Sequence, residues 1–242
     1  MTTLAFTHPG VLDWSGENPG MYLKEKVDGP FVTLVSFFRV VASPHGRGHA
    51  LVLLEAPLLD RSLPEALNVC VTDNDALARY LVADFVTYFG AFKGAEALQH
   101  MDYVPLEGVA ASGDTRASYM EWVKGKGVEA SLSWEDLGTP FMVNIPKEHS
   151  ATGKHSLHSL FVDARRVTAT VNGHTLKGKP FPREFAGRQS STAFLAFSET
   201  WLTVKYGRPS RRVQMRGAVR RPHARRTPYA ASRSLDQGYE RR

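Results

Sequence analysis

Apolar positions along this chain follow two periods, and the change between them locates its elements. Phe31 to Val41 is β-branched and aromatic over eleven residues, long enough for a curved central strand. Pro44-His45-Gly46-Arg47-Gly48 turns the chain, and Ala50 to Ala56 returns as a partner strand, with Glu55 at the end of its apolar run. After a loop from Pro57 to Pro64, Leu67-Asn68-Val69-Cys70-Val71 has the length and composition of a buried strand. There the period changes. Leu77, Leu81, Phe85 and Phe89 recur every four residues, with Val82 and Tyr88 flanking, which makes the apolar stripe of a helix over about residues 74–89. Thr72-Asp73-Asn74-Asp75 supplies a capping oxygen and first-turn acid, and Gly90 stands where a C-terminal cap belongs. The helix thus delivers Lys93 from an apolar setting, Tyr88-Phe89-Gly90-Ala91-Phe92-Lys93.

The rest of the chain reads as strands. Pro9-Gly10 and Pro19-Gly20 punctuate residues 1–20, with Trp14 between them, and predict an irregular arm. A short strand falls within Leu98 to Val109. Ser118 to Val123 and Val128 to Trp134 alternate about Lys124-Gly-Lys-Gly127, a hairpin with one buried face. Thr139 to Pro146 is a short strand bounded by prolines, and Lys147 to Lys154 is a polar loop. Ser156 to Asp163 and Arg165 to Asn172 are two further strands, Asn172-Gly173 a turn, and Ser191 to Lys205 a last long strand. Eight to ten strands and one main helix make an α+β, mainly antiparallel domain: a closed or nearly closed β-barrel with the helix packed on it.

Charge divides the chain differently. The net charge of +6 conceals a tail, Gly207 to Arg242, with 11 arginines and two acids, a net of +9. Residues 1–206 hold 19 basic and 22 acidic residues and are mildly acidic, so the basic balance says nothing about what the folded domain binds. The tail has almost no apolar periodicity and is expected to be disordered, either a passive extension or a phosphate-binding segment. One cysteine, Cys70, leaves no internal disulfide. No apolar stretch approaches the ~20 residues that span a bilayer, and no signal-peptide pattern opens the chain. A soluble, cytoplasmic protein is the expectation. His149, His155, His158 and His174 lack metal-ligand spacing, so no metal is assigned. Neither a nucleophile elbow nor a dinucleotide fingerprint occurs, and no cofactor is expected.

The order Val71-Thr72-Asp73-Asn74-Asp75-Ala76 through Phe89-Gly90-Ala91-Phe92-Lys93 resembles the acetoacetate decarboxylase-like superfamily. In that family a strand enters an Asp-Asn-Asp/Glu helix start, and an aromatic-Pro-Lys-Lys segment after the helix carries a Schiff-base lysine. Lys179-Pro180-Phe181-Pro182-Arg183-Glu184-Phe185, followed by Ala193 to Ser198, is similar to the family's proline-led entry into a last long strand. The resemblance spans roughly Lys24 to Tyr206. It implies a cone-shaped barrel, a nucleophilic Lys93 pointing into an apolar cavity flanked by Tyr88 and Phe92, and Glu55 as acid/base. Lys24 is the candidate partner for a substrate carboxylate. Phe92 stands where the family has proline, and Gly94 where it has a second lysine.

The implied activity is lysine Schiff-base chemistry on a small keto acid or other carbonyl substrate: decarboxylation, or aldol- and dehydration-type steps. A lysine attacks a ketone only as the neutral amine, which burial or a neighbouring cation can secure, as acetoacetate decarboxylase itself illustrates. With Gly94 the neighbouring cation is gone and burial must suffice. The plain alternatives are a solvated Lys93 favouring a helix end, an exposed Glu55 at a strand end, and Asp73 and Asp75 as capping residues. Two other functions compete: a non-catalytic barrel that binds an apolar small molecule, and an RNA- or DNA-associated protein acting through residues 208–233. A homo-oligomeric state completes the expectation.

Overall fold

The computed structural model of this chain describes residues 10–56 and 67–204. Expectations for residues 1–9, for most of the loop after Ala56 and for the arginine-rich tail fall outside the described residues. Five strands precede the helix: β1 (Gly10–Glu17), β2 (Gly20–Lys24), β3 (Phe31–Ala42), β4 (Gly48–Glu55) and β5 (Asn68–Thr72). After helix α1 (Asp75–Asp84) come β6 (Asp102–Gly113), β7 (Ser118–Gly125), β8 (Val128–Leu137), β9 (Phe141–Ile145) and β10 (Ser156–Val171). The chain continues through β11 (His174–Thr175), β12 (Pro182–Phe185), β13 (Arg188–Ser191) and β14 (Ala193–Val204).

Nine of these strands close a barrel in the order β14-β2-β3-β4-β5-β6-β7-β8-β10, with β10 returning to pair β14. Neighbours are antiparallel except β5 and β6, which run parallel because α1 carries the chain across between them. Closure leaves no free edge in the ring. The 16-residue β10 makes it possible: Ser156 to Asp163 pairs β14, and Ala164 to Val171 pairs β8. The sequence pattern places two strands here; the structure has one, because Ala164 at the interruption is buried where the strand passes from one partner to the next. Residues 10–17, expected as irregular arm, form β1, which hydrogen-bonds both β14 and β3. Gly16 allows this, since a side chain there would collide with the backbone of Arg39.

Alternation along the strands separates two apolar cores. Met21, Val35, Phe37, Leu51, Leu53, Val69, Val71, Val123, Leu132, Trp134, Val162 and Leu195 belong to one cluster, which with Val104 and Leu106 draws on all nine ring strands. Only the barrel interior can receive side chains from every staved strand, so the lumen is a filled core. Tyr22, Leu34, Phe38, Val52, Leu54, Cys70, Phe161 and Phe194 point the other way. They meet Leu77, Leu81 and Phe85 from α1 and its end, along with Phe89, Phe92 and β9. The helix therefore packs on the outer wall.

That helix is shorter than its apolar stripe. It starts as expected, with the Asn74 side chain accepting from the Leu77 amide and Asp75 in the first turn. It ends at Asp84, however, and Phe85 takes φ −129°. An acid in the last turn opposes the helix dipole, and the β-branched Val86-Thr87 that follows is poor helix material. A 3-10 turn over Val86–Tyr88 keeps Phe89 on the same face, so the four-residue spacing survives the break.

Candidate functional site

The outer-wall core is not solid. An open cavity of about 1100 Å³ lies against the outer faces of β2, β10 and β14. The turn carrying Tyr88, Phe89 and Lys93, the end of β9, and the β12–β13 hairpin bound it elsewhere. Its walls are aromatic: Tyr22, Phe89, Phe161, Phe194 and Trp201, with Phe161 stacked on Phe194 at 4.9 Å and Phe89 on Trp201 at 5.9 Å.

A single backbone irregularity brings an acid into this apolar space. Ala193 and Leu195 face the barrel interior, and Phe194 and Ala196 face outward. Strict alternation would send Glu199 into the interior. Ser198 instead adopts φ +52°, the pairing of β10 with β14 slips at that point, and the parity inverts. Glu199 and Trp201 then point to the cavity side, where Glu199 is only 2% exposed.

The Glu199 carboxylate accepts from Trp201 Nε1 at 2.7 Å. Burial pushes its pKa up to about 7, against the lowering effect of hydrogen bonds from Trp201 and Asn18. Asn18 is itself buried and accepts from Ser36 Oγ at 2.6 Å, so a polar relay, Ser36-Asn18-Glu199-Trp201, runs along the cavity floor. Tyr22 lies between opposite influences. Burial raises its phenol, the Arg183 guanidinium pulls it down, and Glu199 pushes it up.

Arg183 supplies the cation. It sits on β12 between Phe181 and Phe185, all three lining the cavity. Its guanidinium lies 4.6 Å from the Phe185 ring centre and 4.8 Å from that of Phe194. Among the described residues no carboxylate pairs with it, and its buried Nε has no hydrogen-bond partner. Burial pulls its pKa down, against the raising influence of Tyr22 and of the Asp163 carboxylate. The hairpin that carries it is pinned at the far strand: Ser190 Oγ donates to Asp163 Oδ1 at 2.6 Å, and the Ser191 amide donates to the same oxygen.

Of the residues singled out from the sequence, Lys93, Lys24 and Tyr88 border this cavity, whereas Phe92 and Glu55 do not. Lys93 borders the cavity but is exposed, in a turn where its amide donates to Phe89 O. Gly94 has φ +81°, a conformation that side-chain-bearing residues seldom take, which accounts for glycine at this position. Lys24 also borders the cavity; its Nζ donates to Val27 O at 3.3 Å and lies over the Phe31 ring. Tyr88 lines the mouth, with the Lys154 ammonium 5.4 Å from its ring centre. Phe92 is buried in the outer-wall core, edge-on to Tyr22. Glu55 shares the parity of Leu51 and Leu53, which face the interior, and its Oε2 accepts from the Leu67 amide. It does not line the cavity, so the structure does not bring Glu55 and Lys93 together.

Asn18, Tyr22, Arg183, Glu199 and Trp201 were not singled out from the sequence. A signal for Arg183 was present: Phe181-x-Arg183-x-Phe185 places a cation on one face of a strand between two rings. Glu199 had none that alternation alone could read. Scans against family models and searches of curated proteins and solved structures find no match to this chain.

Proposed function

We propose that this protein binds an organic acid in the cavity on its barrel's outer wall, with Arg183 receiving the carboxylate. One observation carries the reading: a guanidinium with a buried, unpartnered Nε, seated among rings in a cavity large enough for a ligand, with no carboxylate in direct contact among the described residues. An unpaired buried donor costs about 1–3 kcal/mol, and a fork of N–H groups matches a carboxylate bidentately. The aromatic walls suit an apolar body. Glu199, near half-protonation at neutral pH, can donate to or accept from a second polar group of the ligand, such as a carbonyl oxygen.

The test is calorimetric titration of the full chain with phenylpyruvate and with its methyl ester. The acid should bind about tenfold or more tightly than the ester, the worth of a charge-assisted hydrogen bond. Arg183→Met should abolish the difference. Equal affinity of acid and ester in the wild type would end the proposal.

Lysine Schiff-base chemistry on a carbonyl acid is a second reading, supported by one fact: Lys93 borders the same cavity as Arg183. Borohydride treatment in the presence of phenylpyruvate, followed by peptide mass spectrometry, tests it. A reduced adduct on Lys93, absent in Lys93→Arg, supports catalysis. An unmodified Lys93 at saturating acid leaves a binding protein.

A further inference from the structure

The cavity is too large and too open-mouthed for a ligand of a few carbons. Pockets that bury drug-sized molecules run about 300–1,000 Å³, and this one reaches about 1100 Å³. Its entrance carries a second feature. Val27 is 59% exposed and Met142 75% exposed, with Tyr88 at 38%, and all three line the cavity. Scattered single apolar residues on a surface need no account, but three around one opening make a patch. A small acid anchored at Arg183 would leave both the aromatic interior and this rim unfilled.

We infer that the ligand is a long or bulky amphiphile: a carboxylic acid whose head pairs with Arg183 and whose apolar tail fills the aromatic cavity and reaches Val27, Tyr88 and Met142 at the mouth. This rests on the organic-acid reading and sharpens it by size. Charge and burial favour this orientation: of the other cations bordering the cavity, Lys93 is exposed and Lys24 donates to Val27 O, whereas Arg183 is held among rings. The aromatic floor beside Trp201 carries a carboxyl of its own, Glu199, whose ionised form repels a second carboxylate. The guanidinium of Arg183 has a free donor and, among the described residues, no carboxylate in ion-pair contact, Asp163 acting on it only from farther away. The tail is then left with the apolar walls and the rim, the surface that gains most from leaving water.

Titration of the full chain with butanoate, octanoate and dodecanoate, all below their micelle concentrations, and with dodecanol, tests this. Affinity should rise with chain length by about fourfold for each methylene that is buried, and dodecanoate should outbind dodecanol. Met142→Glu, at an exposed position, should erase the gain between octanoate and dodecanoate while the near-ultraviolet dichroism stays unchanged. Affinity that is flat from butanoate to dodecanoate, yet lost in Arg183→Met, would overturn the inference of a long ligand and leave the organic-acid reading standing. Dodecanol binding as well as dodecanoate would overturn both.

Discussion

The two faces of this barrel wall are made from alternate residues of the same strands, yet one is full and the other hollow. Each holds buried charge, and the difference lies in how that charge is treated. At the interior face, Arg39 donates from Nη1 to Glu17 at 2.7 Å and from Nη2 to both oxygens of Glu121, at 2.8 and 2.7 Å. Tyr119 donates to Glu121 as well, and the Arg39 guanidinium lies over the Phe37 ring. Each charge of this Arg39 cluster has a partner. On the outer face, among the described residues, Arg183 touches no carboxylate, with Asp163 acting on it only from beyond ion-pair distance, and Glu199 touches no cation. A completed network needs nothing further and is structural; an incomplete one is where a ligand has work to do.

The contrast predicts opposite responses to the loss of an arginine. Glu121 has no exposed side-chain surface, and burial already pushes its carboxyl pKa up while Arg39 pulls it back. Arg39→Met would strand that carboxylate. Breaking one partner of a buried ion pair costs about 3–5 kcal/mol, and the urea midpoint at pH 7.5 should fall accordingly. Replacing both partners, Arg39→Met with Glu121→Leu, should recover most of the loss, since a well-packed apolar pair is often as stable as a buried ionic one. If the single variant lost less than about 1 kcal/mol, the interior network would be ornamental and the contrast between the faces would fail.

The next effect depends on pH. Glu199 has a folded-state pKa of about 7 against an ordinary glutamate value of 4.5, so the folded state holds this proton more tightly than the unfolded chain. Protonation therefore favours folding. The contribution is complete below the unfolded value, declines as pH rises from about 4.5 to about 7, and is gone above that. The full swing is about 3 kcal/mol. Glu199→Gln keeps an acceptor for Trp201 Nε1 and has nothing to ionise. At pH 8 it should be more stable than wild type by up to that amount, and at pH 4 nearly equal to it. Denaturant titrations across this range check the sign; a variant that lost stability at pH 8 would mean the carboxylate is satisfied as an anion.

The part of the fold legible in the sequence follows from period alone. The four-residue spacing of Leu77, Leu81, Phe85 and Phe89 gives the helix and its buried face, and the alternation about Lys124-Gly-Lys-Gly127 gives the β7–β8 hairpin. What period cannot read is whatever long-range pairing decides. β1 is a strand because Val204 and Ala42, far away in sequence, offer it partners. The helix stops at Asp84 although the stripe runs on, because a 3-10 turn preserves the face. The candidate site suffered most. Lys93 is conspicuous in the sequence as a lysine among aromatics, and it does border the cavity, but the buried charge around it comes from a bulge and a hairpin. A positive φ at Ser198 leaves no mark in the alternation of Ala193 to Trp201.

That bulge is the next thing to perturb. Ser198 is exposed, so a change there acts through the backbone alone. A left-handed conformation costs a side-chain-bearing residue about 1–2 kcal/mol, and a β-branched one resists it further. Ser198→Gly should be neutral to mildly stabilising. Ser198→Val should destabilise by about 1–2 kcal/mol and weaken phenylpyruvate binding as Glu199 and Trp201 lose their register. Equal behaviour of the two variants would show that the parity inversion does not depend on this residue's φ.

The smallest expected change in stability is the most discriminating. Arg183 has two contributions of opposite sign. Its guanidinium over the Phe185 and Phe194 rings gains about 0.5–1 kcal/mol per ring at partly exposed sites, and its unpartnered buried Nε costs about 1–3 kcal/mol. These nearly cancel. Arg183→Met keeps an unbranched side chain against the same rings and removes the orphaned donor, so its urea midpoint should lie close to wild type, within about 0.5 kcal/mol. Arg39→Met, the same chemical change on the other face, should lie several kcal/mol lower. Saturation with an organic acid should then raise the melting temperature of wild type and not that of Arg183→Met, because a ligand stabilises only the state that binds it. If Arg183→Met unfolded as readily as Arg39→Met, Arg183 would be a structural cation, and the outer face would lose its claim to be the functional one.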